Sequence, residues 1–226
     1  EIMAKAHFDW LTIDMEHSAI TIERAAQLIQ VVDLCKKPVL VRVGENNPNL
    51  IKRVMDAGAT GVIVPNINSP EEAQNAVESV KYPLQGKRGV GLFRAQGYGR
   101  SFTDYNVWLA RESVVIIQIE HIRAVDCIDE IFAIKGVDAF IIGPYDLSGS
   151  MGLIGQLNHP KVEAAVEKVL RSAKKHNIVA GFHSVPSDHK EAKKRIKQGF
   201  RFLGYSLDTI FFQDQVIDSL KALRKE

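Results

Sequence analysis

The chain is short of cysteine, of long apolar runs and of any excess of one charge, and each shortage removes a class of protein. Its two cysteines, Cys35 and Cys127, lie far apart with no Cys or His partner at ligand spacing. That excludes a disulfide framework, gives a zinc site poor support, and reads as the reduced thiols of a cytoplasmic protein. No hydrophobic run nears the ~20 residues of a membrane span. Lys and Arg total 29 against 27 Asp and Glu, a formal net charge of +2. The cations are spread rather than clustered, so neither a nucleic-acid nor an anionic-membrane partner is expected. No signal peptide is visible, and a chain that opens on Glu1 leaves room for an upstream segment.

What is present alternates. Near-continuous apolar runs rich in β-branched residues occur at 10–14, 38–43, 61–65, 114–120, 139–143, 178–183 and 200–206. Runs of that length and character mark strands of a parallel sheet covered on both faces. Helical periodicity fills 21–34, 49–57, 70–80, 124–134, 160–176 and 187–198, with a last helix at about 209–224. Ser69-Pro70-Glu71-Glu72 supplies a cap, a first-turn proline and acids at the positive end of a helix dipole. Gly58 and Gly199 stand where helices end.

Alternating β and α without a composition break argues one α/β domain over 1–226. A TIM-type (β/α)8 barrel needs eight strands and seven are found. Residues 1–7 read as the tail of a helix, which places the first strand upstream of this chain's numbering. An open doubly wound sheet is the competing architecture. The stretch 81–113, with Arg88-Gly89-Val90-Gly91, reads as a long irregular loop at the barrel top or a subunit contact. It is no dinucleotide fingerprint, because Arg94 occupies the third glycine position.

Strand C-termini converge on one face of such a barrel. The polar residues there are Asp14, Glu16 and His17 after the first run, Arg42 in the second, Gln118 and Glu120 in the fourth, and Tyr145 and Asp146 after the fifth. Two carboxylates at one rim, Glu120 and Asp146, repel unless they share a cation, and a hard octahedral ion such as Mg²⁺ or Mn²⁺ suits them; ordinary loop polarity is the bland alternative. Asp14 and His17, three apart, form a candidate proton-transfer dyad. Glu16 is a rival partner for His17, but alternation suggests that it points elsewhere. Arg42, in an apolar strand, calls for an anion; that is a substrate carboxylate or enolate, or else Asp56 as a structural counter-ion. His7, His159, His176 and His189 read as surface or helix-end residues, and His121, next to Glu120, as pointing the other way.

These residues resemble the HpcH/HpaI family of class II pyruvate aldolases, which includes 2-keto-3-deoxy sugar acid and hydroxy-oxo-heptanedioate aldolases. The likeness runs through Phe8-Asp9-Trp10-Leu11, Ile13-Asp14-Met15-Glu16-His17, Val41-Arg42, Met55-Asp56-Ala57-Gly58, Arg88-Gly89-Val90-Gly91, Gln118-Ile119-Glu120 and Ile142-Gly143-Pro144-Tyr145-Asp146-Leu147-Ser148. It implies cleavage of 4-hydroxy-2-oxo acids to pyruvate and an aldehyde. It implies a divalent metal (Mg²⁺, Mn²⁺ or Co²⁺) on Glu120 and Asp146, and His17 as base, oriented by Asp14. Arg42 would bind the keto or enolate oxygen, with Asp56 as a supporting acid. The amides of Tyr145 and Asp146 would hold the carboxylate, and Gln118 a metal-bound water. A homo-oligomer, usually a hexamer with the last helix on a partner subunit, is implied too. Tyr145 and His183 depart from the usual pattern near the aldehyde portion. Rival readings are a citrate-lyase-β or malyl-CoA-type lyase and a non-catalytic oxo-acid-binding barrel. A lysine Schiff base is disfavoured, since Lys52 and Lys87 end no core strand.

Overall fold

A computed structural model describes residues 1–224. A short helix α1 (Ile2–Lys5) leads into β1 (Leu11–Asp14), followed by α2 (Ile22–Leu34), β2 (Val39–Arg42), α3 (Pro48–Ala57), β3 (Gly61–Val64) and α4 (Pro70–Val80). Then come α5 (Phe102–Arg111), β4 (Val114–Ile119), α6 (Ile122–Asp126), α7 (Ile128–Phe132), β5 (Ala139–Ile142) and α8 (Pro144–Ser150). The chain finishes with α9 (Pro160–His176), β6 (Val179–Ser184), α10 (His189–Lys197), β7 (Phe202–Tyr205) and α11 (Asp208–Arg224). No described helix is long and apolar enough to cross a membrane.

The seven strands form one parallel sheet in sequential order, β1 to β7. The sheet curls: Trp10, just ahead of β1, stacks on Phe202 of β7 with ring centroids 4.3 Å apart. Two apolar layers result. One joins Leu40, Ile63, Ile116, Ala139 and Ile141 with Trp10 and Phe202 inside the curl. The other joins Val41, Val62, Val64, Ile117, Phe140 and Ile142 to the helices outside. Both faces are apolar because both are covered, which is why the strands read as continuous hydrophobic runs.

The helix ends follow local chemistry. Ser69 accepts the Glu72 N–H and caps α4, and Gly58 closes α3 at φ 108°. His121 and His159 cap α6 and α9 with their ring nitrogens.

Three expectations need correction. The stretch 81–113 is not irregular throughout: it holds a 3-10 turn, Arg94–Gly99, and the amphipathic helix α5. The helix expected over 124–134 is two, broken at Cys127. And β5 leads directly into a helix, α8, so that Asp146 stands in a first helical turn rather than in a loop.

Candidate active site

Side-chain alternation decides what faces the inside of the curl. Counting by twos from the inner apolar residues, Trp10 leads to Asp14, Leu40 to Arg42, Ile116 to Gln118 and Glu120, and Ile141 to Gly143. The same count from Gly181 reaches His183. Because strands run parallel and in register, with Asp14 opposite Arg42, Gln118 opposite Ile141 and His183 opposite Gly204, these groups come to one rim.

Arg42 is the hinge of the cluster. Its Nε donates to Asp14 Oδ1 at 2.8 Å and its Nη2 to Asp14 Oδ2 at 2.6 Å. Its Nη1 faces Glu16 Oε2 at 3.3 Å. A fork-to-fork pair of this kind fixes the guanidinium plane as well as its charge. Burial works against the charge of Arg42 and is outweighed by the carboxylates of Asp14, Glu16 and Glu120, which keep it above its ordinary range. Burial likewise pushes the Asp14 carboxyl up, yet Arg42 and the backbone amides of Glu16 and His17 hold it below the usual value. Glu16 goes the other way: burial raises it, Arg42 opposes, and the nearby Glu120 charge adds to the rise.

Glu120 is buried just past the end of β4. Its Oε1 accepts the Asn66 N–H at 2.7 Å and its Oε2 the Gln118 Nε2–H at 2.5 Å. Asn66 adopts φ 55°, a left-handed conformation that Asn tolerates, and so turns its amide inward. Gly143 is the third constraint. A Cβ there would lie 2.7 Å from Glu120 Oε2 and 2.9 Å from Glu120 Cβ, so only glycine lets the carboxylate lie against the end of β5. Asp146 and Tyr145 are exposed at the start of α8. Helix first-turn amides have no partner within the helix.

His183 sits half-buried on the inner face of β6, with its ring against Gly204. Burial first, and then the Arg42 charge, lower its basicity and favour the neutral imidazole.

Three sequence assignments change. The carboxylate of Asp14 does not hold the His17 ring: it accepts Arg42 twice and the backbone N–H groups of Glu16 and His17. The imidazole instead lies beside Glu16, Nε2 to Oε2 3.7 Å, with 69% of the His17 side chain exposed. Glu16 was expected to point elsewhere, yet it shares the inward parity of Asp14, two residues back. Asp56 joins neither Arg42 nor His17 within the chain. It sits in the last turn of α3, which runs back against the strands, and pairs with Arg88 at 3.2 Å at the opposite end of the sheet.

The donor set suits a hard cation. Glu120 presents a carboxylate with the Gln118 amide on its Oε2, Asp146 stands in the first turn of α8, and the described residues hold no cluster of three or more His, Cys, Asp or Glu that could hold a metal. Such a site leaves positions for water and substrate. No lysine among the described residues ends a strand on the inner face. Lys87 is exposed on Glu78, and the buried Lys81 gives its three protons to Leu109 O, Ser113 O and Ser113 Oγ.

The chain is 37% identical over 99% of its length, and 88% of the relative's, to a hydroxypyruvate/pyruvate aldolase of Paraburkholderia phytofirmans. It is 33% identical to the 2-keto-3-deoxy-L-rhamnonate aldolase of Escherichia coli, over 95% of this chain and 80% of that one. A crystal structure of an HpcH/HpaI aldolase/citrate lyase family protein from Burkholderia cenocepacia superposes with a TM-score of 0.92 at 33% identity, covering 99% of this chain and 88% of the other. With residues 1–214 matching the description HpcH/HpaI aldolase/citrate lyase, the chain belongs to that family.

Proposed function

We propose that the chain is a divalent-metal-dependent aldolase that splits 4-hydroxy-2-oxo acids of the 2-keto-3-deoxy sugar acid type into pyruvate and an aldehyde. One observation carries the reading: a half-buried, clamped guanidinium and a buried, hydrogen-bonded carboxylate share the inner rim with an imidazole. Packing alone has no use for that set.

In this mechanism Arg42 binds the 2-oxo oxygen, and the free amides of Tyr145 and Asp146 at the start of α8 receive the substrate carboxylate. His17 takes the proton of the C4 hydroxyl. The C3–C4 electron pair moves to C2–C3 as the C4 carbonyl forms and the aldehyde leaves. Negative charge gathers on the enolate oxygen, where the fixed guanidinium already points; preorganised charge of this kind supplies several kcal/mol, about 3–4 for a single donor. The imidazolium then returns its proton to C3, giving pyruvate. Mg²⁺, Mn²⁺ or Co²⁺ held by Glu120 and Asp146 would act as a Lewis acid that draws charge from the oxo-acid oxygens. Gln118 orients Glu120, and His183 and Tyr145 line the side on which the aldehyde leaves.

The same reading extends to architecture. We infer a single (β/α)8-type domain in which one further strand fills the gap between β1 and β7. The homo-oligomer rests on α11, which carries exposed Phe212, Val216, Ile217, Leu220 and Leu223.

The test is pyruvate release from 4-hydroxy-2-oxo acids, followed with lactate dehydrogenase. Turnover that falls at least about a hundredfold in EDTA and returns with Mn²⁺ or Mg²⁺ supports the proposal. EDTA-resistant turnover, or covalent labelling by borohydride with substrate, rules it out.

A further inference from the structure

Asp14 gives both carboxylate oxygens to Arg42 and its Oδ1 also to two backbone amides, and the His17 ring is left without the partner expected of it. An imidazole acting as a base needs its other nitrogen held, because that hydrogen bond selects the tautomer and stabilises the cation formed on protonation. The side chain beside His17 is Glu16. Its Oε2 is buried and accepts no hydrogen bond, although it lies 3.3 Å from Arg42 Nη1 and 3.7 Å from His17 Nε2. The Glu16 side chain is only 11% exposed. A buried carboxylate oxygen with an unused acceptor site is costly, so such atoms are found where a partner arrives. Two candidate partners flank it. Arg42 already spends Nε and Nη2 on Asp14, and its geometry is fixed. The His17 ring is 69% exposed and free to move the short distance to hydrogen-bond range. Catalytic hydrogen bonds are often long in an empty site and tighten when substrate fills it.

We propose that Glu16 is the positioning residue for His17: its inward oxygen accepts the Nε2–H of the imidazole and leaves Nδ1 as the nitrogen that takes the hydroxyl proton. The inference rests on the aldolase reading and names the group behind the base. Asp14 and Glu16 then divide the labour. Asp14 locks the guanidinium from one side, while Glu16 touches its far corner and reaches the ring. The two-residue spacing does this in one stroke, because positions 14 and 16 face inward and 17 opens to the substrate side.

A double-mutant cycle on the intact protein tests it, with pyruvate release and thermal unfolding measured for wild type, Glu16→Gln, His17→Gln and the double variant. Glu16→Gln should lower kcat by roughly 10- to 100-fold. The KM for the oxo acid should stay within about twofold, because Arg42 keeps both bonds to Asp14. In the His17→Gln background the same change should cost almost nothing, since residues acting as one unit are not additive. Losses that multiply in the double variant, or a rise in KM in place of the fall in kcat, overturn the proposal. So does an unchanged kcat in Glu16→Gln. Should Glu16→Gln unfold, Glu16→Asp retains the charge but draws it back by one methylene, and the cycle is read with that variant under the same criteria. A wild type that releases no pyruvate overturns the aldolase reading itself, and this inference with it.

Discussion

Two arginines hold carboxylates at opposite ends of the same sheet, Arg88 buried and Arg42 half-buried. The Arg88 side chain is 0% exposed and its partners belong to the scaffold: Val80 O, the hydroxyls of Tyr82 and Tyr105, and Asp56, with the guanidinium carbon 4.4 Å from the Tyr82 ring centroid. The Arg42 side chain is 16% exposed and faces three carboxylates, those of Asp14, Glu16 and Glu120. One cation is matched by hydroxyls, a carbonyl, an aromatic face and a single acid. The other sits where acid is in excess and the rim is open. A buried charge met by the scaffold's own groups indicates structure, whereas a surplus of like charge held at an opening indicates chemistry that a ligand completes.

The comparison breaks if exchanging the two roles costs the same thing. Arg42→Ala should lower kcat/KM by about a thousandfold or more, and Glu120→Gln by a similar factor, while the folded state survives. Steady-state pyruvate release and circular dichroism together check both. Arg88→Met should do the reverse, leaving Asp56 and the Tyr105 hydroxyl without their donor. That removes about 3–5 kcal/mol of stability. For a chain of this size the unfolding midpoint drops by roughly 10 °C. An Arg88→Met protein that melts with wild type would erase the contrast.

Gly143→Ala sharpens it. The added methyl would strike the Glu120 carboxylate rather than solvent. Overpacking costs about 1–3 kcal/mol. The displaced ligand should lower kcat/KM by roughly 10- to 100-fold. Added Mn²⁺ should restore part of that loss, and no recovery at any concentration would place Glu120 outside the cation site.

The smallest effect concerns pH. His183 is less basic than usual when folded, so the unfolded chain binds the proton first as pH falls. Stability is therefore unaffected above the ordinary histidine value near 6.5 and declines below it, until the folded imidazole also titrates. His183→Leu should remove this decline, and melting curves at pH 7.5 and 5.5 should show a smaller difference for the variant. Equal differences would mean that burial and Arg42 do not hold the ring neutral.

Much of this was legible beforehand. Seven strands and the helices α2, α3, α4 and α9 follow from periodicity and caps, and inward-facing Arg42, Gln118 and Glu120 follow from strand parity. α5 was hidden because glycines and Arg94 precede it, masking a ten-residue amphipathic helix. α8 was hidden because it is short and follows its strand with no connecting turn. Glu16 is the instructive miss. Its parity is that of Asp14, two residues back, but the chain leaves the strand at that point, where alternation ceases to be a guide.

Local sequence by itself determined where strands and helices lie, and which side chains share a face, because those depend on dihedral preferences and on spacings of two or 3.6 residues. Only the tertiary structure decided who meets whom: Asp14 with Arg42, Asp56 with Arg88, Glu16 with His17, and Glu120 with an amide from the neighbouring strand end. Partner choice depends on register and curl across strands far apart in the chain, and on the ångström-level room left by residues such as Gly143 and Gly204. No short-range pattern carries that information.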